Sequence, residues 1–180
     1  MDTASLTSPD YLGIDLDTAE EIAIKLENAS VDPSLLESEF RVYKSLDRIS
    51  GIPRVVWYGQ DCDYNVMVME LLGPSLEDVF NYCGRRFSLK TVLMLADQLL
   101  SRLRSIHTRD MVHRDIKPEQ FLMGTGRYGN RLYMSDFGLA WSSDAATAQR
   151  GRGMMGTALF ASVKGHTGEG EIALTACFYV

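Results

Sequence analysis

Four charged side chains in this sequence have the types and order that moving a phosphoryl group requires. Asp115 and Lys117 stand two residues apart in the run His113-Arg114-Asp115-Ile116-Lys117-Pro118. Asp136 opens an Asp-Phe-Gly twenty-one residues after Asp115, and Lys25 lies far upstream, closing Ala23-Ile24-Lys25. Phosphoryl transfer needs positioned phosphates, cations to neutralise charge, and a carboxylate that orients and deprotonates the accepting hydroxyl. Asp115 is the candidate for that carboxylate, with Lys117 steadying the transferred group. Asp136 is the candidate magnesium ligand, because that hard cation selects carboxylate oxygens. Lys25 suits phosphates that are not themselves transferred. Any one of these charges taken alone is most simply a solvated surface group; their joint order argues otherwise.

The surrounding elements must bring these residues together. Residues 21–26 (EIAIKL) alternate, with Ile22, Ile24 and Leu26 on one face, as in a half-buried strand. Pro33 opens a helical segment running to about Ile49. Two strand-like runs, 54–58 and 65–71, flank a polar turn at Asp61 and Asp63. Gly73-Pro74 breaks the pattern, and 75–83 reads as a short helix with Ser75 as N-cap. The strongest helix is 88–108, where Leu89, Val92, Leu93, Ala96, Leu99, Leu100, Leu103 and Ile106 recur at three- and four-residue spacing. Short apolar runs at 121–123 and 132–135 enclose a glycine-rich turn. A strand-rich part over 1–72, a helical part over 73–162 and a small, polar tail over 163–180 (apolar only at 172–180) imply an α+β architecture of two lobes.

Helix geometry selects a partner for Lys25. At about 100° per residue, Leu35, Leu36, Phe40, Val42, Tyr43, Leu46 and Ile49 fall on one side of the wheel. Glu39 lies near the centre of that apolar arc, while Glu37, Arg41 and Lys44 fall opposite. A carboxylate in the middle of a core-facing stripe is unfavourable unless paired. Glu39 facing Lys25 resolves this, and Glu37 reads as the solvated alternative.

Composition sets the remaining limits. The 180 residues are 46% apolar and 23% charged with a net charge of −6, which argues against a general grip on nucleic acid or on an anionic membrane. Three scattered cysteines, Cys62, Cys83 and Cys177, give neither a disulfide framework nor a zinc site and fit the cytoplasm or nucleus. No apolar run reaches the roughly 18 residues of a membrane span.

The motifs in this order resemble the protein-kinase signature. Two further runs, Tyr64-Asn65-Val66-Met67-Val68-Met69-Glu70-Leu71-Leu72-Gly73-Pro74-Ser75-Leu76-Glu77-Asp78 and Thr91-Val92-Leu93-Met94-Leu95-Ala96-Asp97-Gln98, resemble the casein kinase I family, as does Gly156-Thr157-Ala158. The resemblance covers residues 11–140 and a patch at 156–162. It implies a bilobal kinase fold that uses ATP and Mg2+ to phosphorylate serine or threonine in protein substrates, often acidic or already phosphorylated. It places Ala23, Lys25 and Glu39 in the ATP site and Met69 at the back of the adenine pocket. Glu70 and Leu72 would offer hinge backbone groups to adenine, with Leu122 beneath the ring; Met69 and Leu122 would equally serve as core packing.

The sequence also departs from that family. No glycine precedes Gly13, so the first strand and the glycine-rich phosphate cover are expected to be missing. The metal-binding asparagine of the family is Gln120 here, one methylene longer. Leu159 stands where the family has an arginine that receives the phosphate of primed substrates. The segment between Asp136 and Gly156 is short, and the chain stops at Val180 with no helical subdomain in sight, so the fold is expected to be incomplete at both ends, as in a truncated gene product. The alternative expectation is a catalytically inactive kinase-like binding module.

Overall fold

A computed structural model of the chain describes residues 10–142 and 157–160. The alternating segment forms β2 (Glu21–Asn28) within a four-stranded antiparallel sheet of order β1-β2-β4-β3, where β1 is Asp10–Ile14, β3 Val55–Asp61 and β4 Tyr64–Glu70. Register pairs Ala23 with Met69 and Ile22 with Glu70, so the lysine-bearing strand lies beside the one that leaves the sheet at Glu70. Strand β1 is one that the periodicity does not reveal. Tyr11, Leu12 and Ile14 are all half exposed or more, so no buried face imposes alternation, and pairing with β2 makes it a strand. The first strand and glycine-rich phosphate cover that are expected to be missing would precede Tyr11, and residues 1–9 lie outside the described residues.

Helix α1 spans Leu35–Ser45, capped by Ser34, whose hydroxyl accepts from Glu37 N; Pro33 stands just outside it. It stops short of Ile49 because Leu46 caps it and the chain then turns through left-handed backbone at Arg48 and Gly51. At Gly51 (φ 83°) a side chain would strike Arg102, whose Nε donates to Leu132 O, while Gly51 O accepts from Met134 N at 2.8 Å. This loop is thereby fixed to the strand that leads into Asp136.

After Gly73-Pro74 come α2 (Leu76–Tyr82), closed by a capping box between Ser75 and Asp78, and α3 (Leu89–His107), capped by Ser88. Of the long apolar stripe, α3 buries Leu99, Leu103 and Ile106 and leaves Leu89, Leu93, Met94 and Leu100 exposed. Two short antiparallel ribbons follow: β5 (Met111–Val112) with β8 (Trp141–Ser142), and β6 (Phe121–Met123) with β7 (Leu132–Met134). Gly73 N donates to Met123 O and Met123 N to Pro74 O, joining the sheet's exit to β6. One buried cluster runs through the whole, from Leu36 and Met67 to Leu103, Phe121 and Phe137. The tail expected over 163–180, with its apolar end and Cys177, lies outside the described residues. No described helix is long and apolar enough to cross a membrane.

Candidate active site

Strand β2 sends Lys25 toward α1, where its Nζ donates to Glu39 Oε1 at 2.9 Å with both side chains nearly buried. Glu37 instead pairs with Arg41 one turn along in solvent, at 2.6 Å. Burial pushes the Glu39 carboxyl above its usual range; the Lys25 ammonium opposes that rise and Asp136 adds to it. Glu39 Oε1 also accepts from Phe137 N at 3.3 Å, so one carboxylate links the lysine, the helix and the Asp-Phe-Gly backbone.

The loop between β5 and β6 carries Asp115, buried at 8% exposure. Lys117 Nζ donates to its Oδ2 at 2.9 Å. Its Oδ1 accepts from the backbone and hydroxyl of Thr157, at 2.7 and 2.8 Å, and Lys117 also donates to Thr157 Oγ1 at 3.1 Å. Burial works to raise the Asp115 carboxyl, but the bonds from Lys117 and Thr157 outweigh it and hold it below the usual range. It is therefore an ionised acceptor at neutral pH. His113 is fully buried, which lowers its basicity and keeps the ring neutral. Its Nε2–H donates to Ser135 O at 2.9 Å, and its Nδ1 accepts from Asp115 N at 3.4 Å. Arg114 and Asp136 both adopt left-handed backbone, φ 68° and 59°. Such conformations cost of order 1–3 kcal/mol each and persist where the surroundings impose them. Arg114 Nε donates to Leu139 O at 2.6 Å, and Asp136 N donates to Tyr43 Oη at 3.0 Å.

Gln120 lies between the two aspartates. Its Nε2 donates to Asp136 Oδ2 at 2.7 Å and to Asp115 Oδ2 at 3.3 Å, and its backbone carbonyl accepts from Ser135 N. Two carboxylates can be faced only by the NH2 end of an amide, so a metal would meet the Gln120 oxygen after a half-turn of the amide. Asp136 and Gln120 then offer two oxygen donors, and no described cluster of three acidic, histidine or cysteine residues forms a closed cage. That suits magnesium, which takes one or two protein ligands and completes its shell with phosphates and water.

These groups border a cleft of about 690 Å³ between the sheet and the β6–β7 ribbon. Ala23, Lys25, Met69, Glu70, Leu72, Lys117, Gln120, Leu122 and Asp136 all line it. Glu39 stands behind Lys25, and Asp115 behind Lys117 and Gln120. The lining combines the apolar Leu12, Ala23, Met69 and Leu122 with the charged Lys25, Lys117 and Asp136. The size suits a nucleotide-sized ligand.

The roles of three residues of this constellation escape the sequence reading. Thr157 reaches Asp115 across 42 residues, and no local pattern announces that contact. Tyr43 follows Glu39 by one helical turn on the buried face, where a phenol needs a polar partner. Glu27 shares a strand face with Lys25 and is buried. Of the patch expected at 156–162, Gly156 lies outside the described residues, and Leu159 is exposed at 74%. The family model for the protein kinase domain matches residues 8–162 of this chain.

Proposed function

The chain belongs to the protein kinase domain family, and from that membership we propose that it is a serine/threonine kinase of the casein kinase I type, using ATP with magnesium. The observation that carries the serine/threonine reading is Thr157. An aliphatic hydroxyl already sits 2.8 Å from Asp115 Oδ1 and 3.1 Å from Lys117 Nζ. That is the setting a substrate serine or threonine needs: an ionised carboxylate to take its proton and an ammonium to offset phosphoryl charge. The casein kinase I assignment rests on the runs at 64–78 and 91–98.

In this reading Asp115 accepts the proton as the acceptor oxygen bonds to the γ-phosphorus and the bond to the β-phosphate bridge breaks, releasing ADP. Lys25, held by Glu39, lies against the non-transferred phosphates. Met69 closes the back of the adenine slot, Leu122 floors it, and the backbone at Glu70 and Leu72 orients the base. Asp136 and Gln120 would hold magnesium, which supplies charge neutralisation at the phosphate oxygens. Acidic protein segments are the proposed substrates; Leu159 offers no cation to a pre-phosphorylated one. The exposed, free Cys62 and Cys83 fit a cytoplasmic or nuclear setting.

The Gln120 bridge favours a second reading, a kinase-like binding module, because its amide occupies both carboxylates. Transfer of labelled phosphate from ATP to an acidic serine peptide, lost in Asp115→Asn, supports the enzyme. Nucleotide binding without any transfer supports the module.

A further inference from the structure

Strand β2 holds α1 at two points, and only one of them is the lysine pair. Lys25 and Glu27 are two residues apart on the strand, so both side chains leave the same face. Glu27, 8% exposed, reaches the start of the helix. Its Oε1 accepts from Leu35 N at 2.9 Å and Leu36 N at 3.0 Å. Its Oε2 accepts from the Ser34 hydroxyl and from Asn65 Nδ2 at 3.1 Å, which brings in β4 as well. The first turn of a helix presents N–H groups with no partner of their own and a partial positive charge, and a carboxylate answers both.

The spacing of the two contacts fits. Residues two apart on a strand are about 6.7 Å apart; the three to four residues from Leu35 and Leu36 to Glu39 cover about 4.5–6 Å of helix. A rigid α1 seated on Glu27 therefore brings Glu39 opposite Lys25. Moving α1 outward as a rigid body to separate that pair stretches the Glu27 bonds as well.

From this geometry we infer that Glu27 is a positioning residue, a carboxylate that clamps the N-terminus of α1 onto the sheet and so holds Glu39 against Lys25 and the Phe137 amide. Glu27 does not line the cleft, so any effect on nucleotide is indirect, through the residues that α1 carries to the site, Glu39 and Tyr43. That effect rests on the proposed kinase function; the clamp itself does not.

The test uses the full chain with Glu27→Ala, Glu27→Gln, Glu39→Ala and the double variant Glu27→Ala/Glu39→Ala. Hydrogen–deuterium exchange at the Phe137 amide reports on the clamp, because its acceptor is Glu39 Oε1 and it has no bond to Glu27. In Glu27→Ala this amide should exchange faster by on the order of tenfold, and the double variant should be no faster than Glu39→Ala alone, which already lacks the acceptor. Glu27→Gln keeps an oxygen for Leu35 and Leu36, should be intermediate, and gives the reading if the alanine variant does not fold. Affinity for magnesium–ADP, measured by calorimetry, should fall with the same non-additivity. Unchanged Phe137 exchange in the Glu27 variants, or effects that simply add, overturns the clamp. A chain that shows the exchange pattern yet binds no nucleotide upholds the clamp and overturns the kinase function.

Discussion

Replacing Gln120 by asparagine should move stability and activity in opposite directions. The shorter side chain withdraws the amide by about 1.5 Å. The 2.7 Å bond to Asp136 Oδ2 is then lost, along with the weaker 3.3 Å contact to Asp115 Oδ2. A hydrogen bond to a charged group contributes roughly 1.5–3 kcal/mol, and the deleted methylene about 0.8 kcal/mol more. Allowing little for the longer contact, Gln120→Asn should lose about 2–4 kcal/mol. For a chain of this size each kcal/mol shifts Tm by about 2–4 °C, so scanning calorimetry in EDTA should show a fall on the order of 5–15 °C. Without the bridge, Asp115 and Asp136 repel each other and favour a cation. Magnesium should therefore restore more of the melting temperature in Gln120→Asn than in the parent, and phosphate transfer should rise. An unchanged Tm in EDTA would refute the bridge as a stabilising contact.

Asp115→Asn should lower phosphate transfer by a hundredfold or more, on the order expected for loss of a general base, in a steady-state peptide assay; a smaller loss would assign the proton to another group. Thr157→Ala should reduce kcat while Thr157→Ser retains most of it, since the serine keeps the hydroxyl between Asp115 and Lys117; equal loss in both would make the Thr157 methyl the important part. For pH, Glu27 and Asp115 are both depressed from ordinary values of 4.5 and 3.8. The unfolded chain then binds more protons in that range, so the stability these groups supply is complete above it and is lost as pH falls through their folded values. Glu39, raised by burial, acts in the opposite sense. The difference in Tm between the parent and Glu27→Gln should accordingly narrow between pH 7 and pH 3, and a constant gap would contradict the assigned shift.

The parts of this site that were legible in the sequence share one property: their signal is local. Glu39 stands out because a carboxylate inside an apolar stripe must have a partner, and the 2.9 Å bond to Lys25 supplies it. Ser75 reads as a cap from its place after Gly73-Pro74, and its hydroxyl accepts from the backbone three residues on. Contacts closed by tertiary structure leave no such mark. Thr157 meets Asp115 from a distant segment, and Glu27 looks like any polar strand residue until Asn65 and the start of α1 surround it. Strand β1 was hidden by its exposure, because a strand with no buried face has no alternation to read. The stripe on α3 misleads in the other direction. Periodicity marks which side chains are apolar, but burial follows the neighbours, and only Leu99, Leu103 and Ile106 of that helix are buried.

The bond from Asp136 N to the Tyr43 phenol makes two settings conditional on each other. The left-handed backbone at Asp136 leaves its amide without a ladder partner, and the hydroxyl that satisfies it comes from α1. If the helix leaves, the amide loses this acceptor; if Asp136 flips, the phenol beside Phe137 loses this donor. Helix position and aspartate conformation are thus linked variables, and linkage is reciprocal. A compound that favours the flipped aspartate by a given factor loosens the helix by that same factor, and a partner that presses α1 inward tightens cation binding equally. Affinity measured at the cleft is then also a measure of where the helix sits, even for ligands that never touch it.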